Sequence, residues 1–470
     1  MNILRNTVST IILFAGLYSN SIAQTNPSSH DQIDALFEEW NSNDSPGCAL
    51  GIVRNGQLIY GKGYGMADLE HDIPITASSV FYIASVSKQF ITMSILLLQE
   101  QGKLDLDDEI QKYLLDFPKY EVPLTIRHFI HHTSGVRDYL TLWTLAGNDY
   151  MDYIDEDAVY RMIKRQKTLN FTPGEKYLYS NSCYFMLAMI VEKASGQSMK
   201  EFAQENIFGP LNMKSSHFHD NYLHLVKNRA FSYRSNDKSF DNLIMRFDLV
   251  GSGGLYSSIN DLYLWDQNFY KNKLGRADSE LLKTMHKDGL LNNGESAGYA
   301  FALRNGKYRG LKTISHGGSL AGYRSQLMRF PDQKFSVIIL GNLASFKAKT
   351  MAQKVADVYL DDFMDPVEKE STSIKSTKSE EIISFNATNI EQYEGTYYSE
   401  ELEVDYLIYK ENNRLYARVK NREPVELKPI KKDTFSNEIE LVFTRDQNNK
   451  VFGLIINAGR VQNLTFIKTK

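Results

Sequence analysis

The alternation of hydrophobic and polar positions predicts that the fold begins with a β-hairpin. Two runs rich in β-forming residues, 49–53 and 58–60, flank a polar tetrapeptide at 54–57. Asn55 and Gly56 in this tetrapeptide are the dipeptide that two-residue hairpin turns favour, because both central positions of such a turn need a positive φ. The pattern therefore predicts two antiparallel strands that start a sheet.

A change of period at residue 85 predicts a buried helix over residues 85–101. Ile91, Ile95 and Leu98 recur at helical spacing, and other apolar residues fill the remaining faces of the segment. A helix that is apolar on nearly all faces lies inside a protein rather than on its surface. We therefore expect this helix at the centre of a large α/β core.

The remainder of the first domain is mixed. Residues 105–265 combine helical stretches with loops, and strand-like runs return at 327–330 and 335–340. The sequence thus predicts a sheet built from both ends of the domain, with a helical region inserted between them. A chain of 470 residues, 42% of them hydrophobic, can bury a core of this size and more than one domain.

Composition changes near residue 365, where Ser, Thr, Lys and Glu replace the apolar residues. Such a segment cannot bury a core, so residues 365–388 are predicted to be a linker after a domain at 31–364. Beyond it, apolar and polar residues alternate in four short runs: 415–419, 439–443, 451–456 and 464–467. Short strands separated by polar turns predict a small antiparallel barrel or sandwich over residues 389–470.

The first 23 residues have the features of a cleaved signal peptide. Arg5 provides the positive start, residues 11–17 are a short apolar run, and Ser21 to Ala23 are suited to cleavage. The run is far shorter than the roughly 20 apolar residues that a membrane-spanning helix needs, so no stable membrane anchor is expected. We predict export to the periplasm or secretion, with Gln24 as the first mature residue.

Charge and cysteine content narrow the function. A net charge of -4 gives no basic surface for nucleic acid, so a small molecule or peptide is the expected partner. The two cysteines, Cys48 and Cys183, cannot form a disulfide framework, and two unpaired buried thiols are favoured over one bridge. No cluster of His, Cys and carboxylates has the spacing of a metal site, so neither a metal nor another cofactor is expected. The oligomeric state stays open.

The first candidate for chemistry is the pair Ser85 and Lys88 at the start of the apolar helix. Residues three positions apart lie on the same side of a helix, so the hydroxyl and the amine are within reach of each other. A buried lysine loses its proton more easily, because desolvation disfavours its charged form. Such an amine can activate a serine hydroxyl as a nucleophile. Ser235 and Lys238 have the same spacing in a polar stretch, which we interpret as a solvated loop.

Two further segments carry candidate site residues. Tyr179 and Asn181 follow a Pro-Gly turn and precede a helical stretch, so that a phenol and an amide can enter a common cleft. His316, Gly317, Gly318 and Ser319 follow a strand-like run, and glycines without side chains let a substrate lie against the backbone of a strand. Backbone N–H groups in such a segment can also stabilise an oxyanion.

In this order, Ser-x-x-Lys, Tyr-Ser-Asn and His-Gly-Gly resemble the three active-site motifs of the penicillin-binding proteins, the serine β-lactamases and their esterase and D-aminopeptidase relatives, nearest to the class C β-lactamase branch. The resemblance covers roughly residues 34–359, and residues 389–470 resemble the lipocalin-like domain of some relatives. It implies an α/β (α+β) sheet flanked by helices, with an inserted helical region and a barrel-like C-terminal domain. It also implies roles for the motif residues: Ser85 as the acylated nucleophile, Lys88 and Tyr179 as the proton-handling pair, Asn181 as a substrate ligand, and the N–H groups of Ser85 and Ser319 as the oxyanion hole.

The resemblance therefore implies a serine hydrolase that forms an acyl-enzyme on esters or amides, of the esterase or D-amino-acid peptidase type. A β-lactamase, a D-alanyl-D-alanine carboxypeptidase and a penicillin-binding sensor of slow turnover stay open as alternatives. His316 stands where most β-lactamases have Lys. Because an unperturbed imidazole is mostly neutral at pH 7, we expect neutral esters or amides to be better substrates than carboxylates. Arg324 is a candidate to restore the missing charge, and His132 and Ser134 are expected to be structural residues.

Overall fold

The computed structural model describes residues 28–277, 280–366 and 389–470. The predicted signal peptide lies outside the described residues, as do residues 367–388 of the predicted linker. Among the residues that are described, no helix is both long enough and apolar enough to cross a membrane.

The described residues contain short helices in the first 366 positions and strands in both halves of the chain. The α-helices are α1 (Ser29–Leu36), α2 (Lys88–Glu100), α3 (Ile126–Ile130), α4 (Tyr139–Leu145), α5 (Glu156–Lys164), α6 (Asn181–Ser195), α7 (Met199–Ala203), α8 (Gly209–Leu211), α9 (Ile259–Asn268), α10 (Leu281–Met285) and α11 (Ala348–Leu360). The strands are β1 (Cys48–Arg54), β2 (Gln57–Tyr64), β3 (Met66–Asp68), β4 (Ile73–Pro74), β5 (Phe81–Tyr82), β6 (His217–Phe218), β7 (Tyr233–Ser235), β8 (Phe240–Asn242), β9 (Leu255–Ser257), β10 (Arg304–Tyr308), β11 (Leu311–Leu320), β12 (Tyr323–Phe330), β13 (Phe335–Gly341), β14 (Gly395–Ser399), β15 (Val404–Glu411), β16 (Arg414–Val419), β17 (Val425–Lys431), β18 (Thr434–Asn437), β19 (Ile439–Arg445), β20 (Val451–Ala458) and β21 (Val461–Lys468).

The central sheet has six antiparallel strands in the order β10–β11–β12–β13–β1–β2. Strands β1 and β2 are the predicted hairpin, and its turn residues Asn55 and Gly56 have φ angles of 50° and 82°. Strands β10 to β13 come from the other end of the domain. The prediction of one sheet made from both ends of the domain is confirmed.

Helices cover both faces of this sheet. In β1, Leu50 and Ile52 pack in one hydrophobic cluster with α1 and α11, whereas Ala49 and Val53 pack in a second cluster with α2 and α6. This alternation follows from the two-residue period of a strand. The sheet is therefore the middle layer between two sets of helices, as the predicted α/β class requires.

Helix α2 is buried along residues 88–98 and contacts α6. The predicted helix began at Ser85, but the α-helix starts at Lys88, and the preceding turn is a 3-10 helix over Ala84–Ser87. Ala84 has a left-handed backbone with φ 48°, a conformation that a regular α-helix does not allow. Ser85 therefore lies on a separate turn at the mouth of the helix rather than in its first α-helical turn.

The C-terminal residues form a closed barrel of eight antiparallel strands, β14 to β21. It closes where β14 pairs with β21, so the barrel has no free edge. The four runs predicted from sequence fall in β16, β19, β20 and β21. Of the two architectures that were predicted, the barrel is confirmed.

The barrel packs on the inserted helical region. Leu142 and Leu145 of α4 lie in the hydrophobic cluster of the barrel interior. Beside them, the buried guanidinium of Arg137 forms an ion pair with Glu401 and donates a hydrogen bond of 3.0 Å to the carbonyl of Gln462. These contacts attach the barrel directly to the segment that precedes α4.

Candidate active site

The turn that carries Ser85 lies against strand β11. A Cβ added to Gly318 would lie 2.4 Å from the carbonyl oxygen of Ile83, so only glycine permits this approach. Ser87 supports the turn from below, because its hydroxyl donates a hydrogen bond to the carbonyl of Ala84. The first and third predicted motifs are therefore neighbours, and Ser85 faces a cleft between them.

Lys88 lies one helical turn further and is fully buried. Its Nζ is 2.9 Å from Oδ1 of Asn181, 2.6 Å from the carbonyl oxygen of Ser252 and 3.1 Å from Oγ of Ser85. Burial lowers the pKa of Lys88 well below its ordinary value, and the positive charge of Arg460 lowers it further, whereas the negative charge of Asp138 raises it. The first and second motifs therefore meet at this amine.

Asp138 fixes the orientation of the Asn181 amide. Its Oδ2 accepts hydrogen bonds of 2.7 and 2.8 Å from the backbone N–H and from Nδ2 of Asn181. Because a carboxylate accepts and does not donate, the amide nitrogen must face Asp138, and Oδ1 of Asn181 must face Lys88. The sequence analysis did not identify Asp138. Its only signal in sequence is that of an ordinary N-cap residue, since it also caps α4.

Tyr179 lies on the loop before α6, with His132 against its ring. The two ring centroids are 4.1 Å apart, and Nδ1 of His132 accepts a hydrogen bond of 3.1 Å from the backbone N–H of Ser180. The carbonyl of His132 accepts a second one, of 3.0 Å, from the N–H of Leu178. His132 therefore holds the backbone on both sides of Tyr179, which is the structural role expected for it.

The hydroxyl oxygen of Tyr179 is buried and makes no hydrogen bond of normal geometry with any described residue. Burial raises the pKa of this phenol, while nearby Ser85 and the charge of Arg460 lower it. Nζ of Lys88 lies 5.0 Å from the centroid of the Tyr179 ring. The predicted nucleophile, Ser85, and the predicted proton-handling pair, Lys88 and Tyr179, are thus brought together.

His316 occupies strand β11 on the far side of the cleft. Its Nδ1 is 2.7 Å from the carbonyl oxygen of Gly317, and its Nε2 is 2.9 Å from the hydroxyl of Tyr299. A carbonyl oxygen can only accept, so Nδ1 carries the proton and Nε2 accepts from Tyr299. Burial, followed by the charge of Lys88, lowers the pKa of His316 to about 3. The imidazole is therefore neutral at pH 7, as the sequence analysis assumed.

The remaining predicted residues have simpler surroundings. Ser319 is exposed at the end of β11 and lines the cleft. Nη1 of Arg324 donates to the carbonyl oxygens of Ala321 and Tyr323, at 2.9 and 2.7 Å, and its side chain also lines the cleft. Ser235 lies in the exposed hairpin of β7 and β8, in agreement with its interpretation as a solvated segment.

Both cysteines are free and buried, as the sequence analysis favoured. Cys48 lies in strand β1 and Cys183 in helix α6. The hydroxyl of Ser134 is 3.1 Å from Sγ of Cys183 and accepts a hydrogen bond from the N–H of Val136. Ser134 therefore stabilises a loop under the site and does not line the cleft.

A second residue that the sequence analysis missed is Arg460, which belongs to the barrel. It lies in the turn between β20 and β21, and its Cζ is 4.8 Å from the centroid of the Tyr179 ring. Its Nη1 is 3.8 Å from Oδ2 of Asp138. An arginine in a polar turn gives no sequence signal of an active site. The residue that it contacts, Tyr179, lies about 280 positions earlier in the sequence.

The cleft itself has a volume of about 650 Å³, which is in the range of small-molecule sites. Five cationic residues line it, and no carboxylate is among its described lining residues. The five are Arg304, Arg324, Lys347, Lys349 and Arg460. No group of His, Cys, Asp and Glu that could hold a metal ion occurs in the described parts of the chain.

Comparison with known proteins agrees with this geometry. The model of the family described as Beta-lactamase matches residues 33–360. Penicillin-binding protein 4* of Bacillus subtilis (strain 168) is 28% identical over 326 residues, which are 66% of this chain and 71% of the relative. A D-aminopeptidase of Gluconobacter oxydans (strain 621H) is 28% identical over 312 residues, and the match spans 66% of this chain but only 58% of that enzyme.

One solved structure extends the likeness to the whole chain. An octameric penicillin-binding protein homologue from Pyrococcus abyssi has a TM-score of 0.63 and 21% identity, and the match covers 94% of this chain and 99% of that one. Identity at this level shows a common fold. The match includes the C-terminal barrel, so the combination of the two domains recurs in a second protein.

Proposed function

The chain belongs to the beta-lactamase family and is a serine hydrolase of amides or esters, and we propose that Ser85 is its nucleophile and Lys88 its general base. One observation carries the proposal: the three neighbours of Nζ of Lys88. A neutral amine has two N–H donors and one lone pair. Oδ1 of Asn181 and the carbonyl oxygen of Ser252 can only accept, so they use both donors, and the lone pair is directed at the hydroxyl of Ser85.

The electrostatics assign different roles to Lys88 and Tyr179. Burial disfavours the ammonium form of Lys88 and lowers its pKa, so its amine is the group suited to accept a proton. Burial also disfavours the phenolate form of Tyr179, so its hydroxyl keeps a proton. A base and an acid therefore lie side by side, and Tyr179 is the group that can protonate a leaving nitrogen or oxygen.

The proposed reaction has two halves. In the first, Ser85 attacks the substrate carbonyl while its proton moves to Lys88, and the tetrahedral oxyanion is held by the N–H groups of Ser85 and Ser319. The bond to the leaving group then breaks, Tyr179 gives its proton to that group, and Lys88 restores the proton of Tyr179. In the second half, water gives a proton to Lys88 and attacks the ester, and the oxygen of Ser85 leaves with that proton.

We propose D-amino-acid amides or peptides, together with simple esters, as the substrates. The D-aminopeptidase relative and the neutral His316 support this class over β-lactams or cell-wall peptides. The test is to incubate the purified protein with 4-nitrophenyl acetate, D-alanine 4-nitroanilide and a fluorescent penicillin, and to locate the acyl group by mass spectrometry. We expect turnover of the ester and the anilide, with the acyl group on the peptide that contains Ser85.

The variant Ser85→Ala should lose turnover and labelling without a loss of fold. The matched control is Ser235→Ala, since Ser235 has the same spacing to a lysine but lies in an exposed hairpin. Labelling that persists in Ser85→Ala would contradict the proposal. A stable penicillin adduct without turnover of any of the three compounds would favour the sensor function instead.

Residues 1–23 support the proposal that the protein is exported to the periplasm or secreted. We expect the mature chain to begin at about Gln24. N-terminal sequencing of protein recovered from the periplasm or the medium checks this, and a product that retains Met1 would contradict it.

A further inference from the structure

We infer that Arg460 of the barrel is a substrate-binding residue, which holds a carboxylate of the substrate beside Ser85 and so makes the C-terminal domain part of the active site. The inference rests on the proposed function, because it concerns the substrate of the same cleft. The barrel would thereby provide the positive charge that the neutral His316 of the catalytic domain does not provide.

The backbone around Arg460 is fixed by the catalytic domain. Its carbonyl accepts hydrogen bonds from the N–H of Asp138, at 3.4 Å, and from Nδ2 of Asn170, at 3.0 Å. Oδ1 of Asn170 in turn accepts a bond of 2.8 Å from the N–H of Gln462. The turn between β20 and β21 is therefore docked at two successive points, and Arg460 projects from a rigid position.

The guanidinium of Arg460 is not used by this docking. Its side chain is 44% exposed, lines the cleft, and donates no hydrogen bond to any described residue. Asp138 lies 3.8 Å away, but its carboxylate already accepts from Asn181 and from Thr141. The face of the Tyr179 ring, at 4.8 Å, holds the guanidinium in place without satisfying its N–H groups.

Free N–H donors of a guanidinium in a cleft are suited to one class of ligand. The planar fork of arginine matches the two oxygens of a carboxylate and keeps its charge at every physiological pH. The cleft adds four more cationic residues and no described carboxylate, so its field attracts an anion. The structure therefore favours a substrate with a carboxylate close to the scissile bond.

This inference changes the expectation that was based on His316. The neutral imidazole predicts little attraction for a substrate carboxylate, but that reasoning considered the catalytic domain alone. Arg460 places a positive charge at the ring of Tyr179, and it lies outside the three motifs of the catalytic domain. Comparing neutral and anionic substrates of the same reaction can therefore show whether His316 or Arg460 determines the preference for a carboxylate.

The experiment compares two esters with the same leaving group, 4-nitrophenyl acetate and the mono-4-nitrophenyl ester of glutaric acid, and two anilides, D-alanine 4-nitroanilide and D-alanine 3-carboxy-4-nitroanilide. The carboxylate lies on the acyl side in the first pair and on the leaving group in the second. Values of kcat/KM are measured for wild type, Arg460→Ala, Arg460→Lys and Arg422→Ala. Arg422 is the matched control, because it is a barrel arginine of the same 44% exposure that pairs with Asp149 outside the cleft.

We expect Arg460→Ala to lower the ratio of kcat/KM for the carboxylate-bearing member to that for the carboxylate-free member (the anionic-to-neutral ratio) about ten-fold in at least one pair, mainly through KM, as the loss of one charge-assisted hydrogen-bonded pair predicts. Arg460→Lys should restore part of the ratio, and Arg422→Ala should leave it unchanged. An equal loss on both members of both pairs, or no change in either ratio, would overturn the inference.

A binding measurement separates this inference from the proposed function. In Ser85→Ala protein, calorimetry with glutarate, which has no scissile bond, should show about ten-fold weaker binding when Arg460 is also replaced by Ala. Binding that depends on Arg460 would support the inference even if Ser85 proved not to be the nucleophile. Binding that is equal in the two proteins would overturn it whatever the activity of the wild type.

Discussion

Lys88 of the catalytic domain and Arg460 of the barrel each place one basic group at the ring of Tyr179. Nζ of Lys88 lies 5.0 Å from the ring centroid and Cζ of Arg460 lies 4.8 Å from it. Lys88 is fully buried with three hydrogen-bond partners, whereas the side chain of Arg460 is 44% exposed and donates no hydrogen bond to a described residue. Two basic side chains at nearly the same distance from one ring thus have opposite environments.

The difference shows how the surroundings of a basic side chain determine whether it transfers a proton, as proposed for Lys88, or binds an anion, as inferred for Arg460. Burial pushes an amine towards its neutral form, in which it can take a proton. A half-exposed guanidinium with free donors cannot lose its charge and can only attract and orient an anion. Substitutions that exchange an amine for a guanidinium at Lys88, or a guanidinium for an amine at Arg460, test this difference.

The largest effect is expected from changes at Lys88. Lys88→Arg keeps the positive charge but cannot act as a base, because the guanidinium does not release its proton. We expect kcat/KM to fall by roughly 10² to 10⁴-fold for every substrate, as for the loss of a general base. The same conservative exchange in the reverse direction, Arg460→Lys, should retain most activity on neutral substrates.

Steady-state kinetics on 4-nitrophenyl acetate and D-alanine 4-nitroanilide, neither of which carries a carboxylate, check this contrast. Circular dichroism and thermal unfolding of Lys88→Arg, with Lys88→Met as a second variant, show whether the buried site still folds. Near wild-type activity in folded Lys88→Arg would mean that charge, rather than proton transfer, is what Lys88 contributes.

The two sites also differ in how far they could be predicted. Ser85 and Lys88 were predicted because they lie three positions apart at the start of an apolar helix. Tyr179, Asn181 and the segment from His316 were predicted because they follow this pair in the same order as the motifs of the family that the sequence resembles. These residues act within single elements, so local sequence describes them. Asp138 and Arg460 act only through contacts between segments that are far apart, and no local pattern distinguishes them from an ordinary cap and an ordinary turn residue.

The fold shows the same division. The hairpin, the buried helix and four barrel strands follow from period and turn chemistry. Strands β14, β15, β17 and β18 were not among the four predicted runs. In β15 the buried alternation of Val404, Tyr406 and Ile408 stops at Lys410, and β17 contains Pro429, which is unfavourable in a strand. The first turn at Ser85 was assigned to the α-helix because the left-handed backbone at Ala84 is imposed by its neighbours, not by alanine itself.

The next effect concerns the attachment of the barrel. Glu401→Gln removes the partner of the buried Arg137 and leaves an uncompensated charge, so we expect the free energy of unfolding to fall by about 3 to 5 kcal/mol. The neighbouring change Glu400→Gln is the control, since Glu400 pairs with Lys167 at the exposed surface and should have little effect. Chemical denaturation of both variants checks the difference, and equal stability of the two would show that the barrel is not held by this pair.

A smaller effect sharpens the electrostatic side of the comparison. Arg460 lowers the pKa of Lys88 and Asp138 raises it. Because the reaction needs the neutral amine, kcat/KM rises with pH through the pKa of Lys88. Removing the negative charge by Asp138→Asn should therefore move the acidic limb of the profile to lower pH, whereas Arg460→Ala should move it to higher pH.

These profiles are measured with 4-nitrophenyl acetate, which has no titratable group, so that substrate charge does not change with pH in the range where the limb falls. Asp149→Asn is the control, because Asp149 pairs with Arg422 outside the cleft and should leave the limb in place. Shifts of Asp138→Asn and Arg460→Ala in the same direction would show that the variants act through structure rather than through charge.

The smallest effect is expected at His316, which shares the cleft with Arg460 but carries no charge. Burial lowers its pKa to about 3, so its titration adds no step to the activity profile between pH 5 and 8. His316→Lys would add a cation on the strand side of the cleft and lose the hydrogen bond with Tyr299, which is 2.9 Å in the wild type. We expect the ratio of anionic to neutral kcat/KM to rise by only a few-fold, because burial beside Lys88 disfavours a second ammonium.

If Arg460 is the carboxylate ligand, the rise caused by His316→Lys should be larger in the Arg460→Ala background, where the new lysine is the replacement for the lost charge. Equal rises in both backgrounds would mean that the two positions act on different substrate groups, and a fall in the ratio would mean that the neutral imidazole itself binds the anionic substrate.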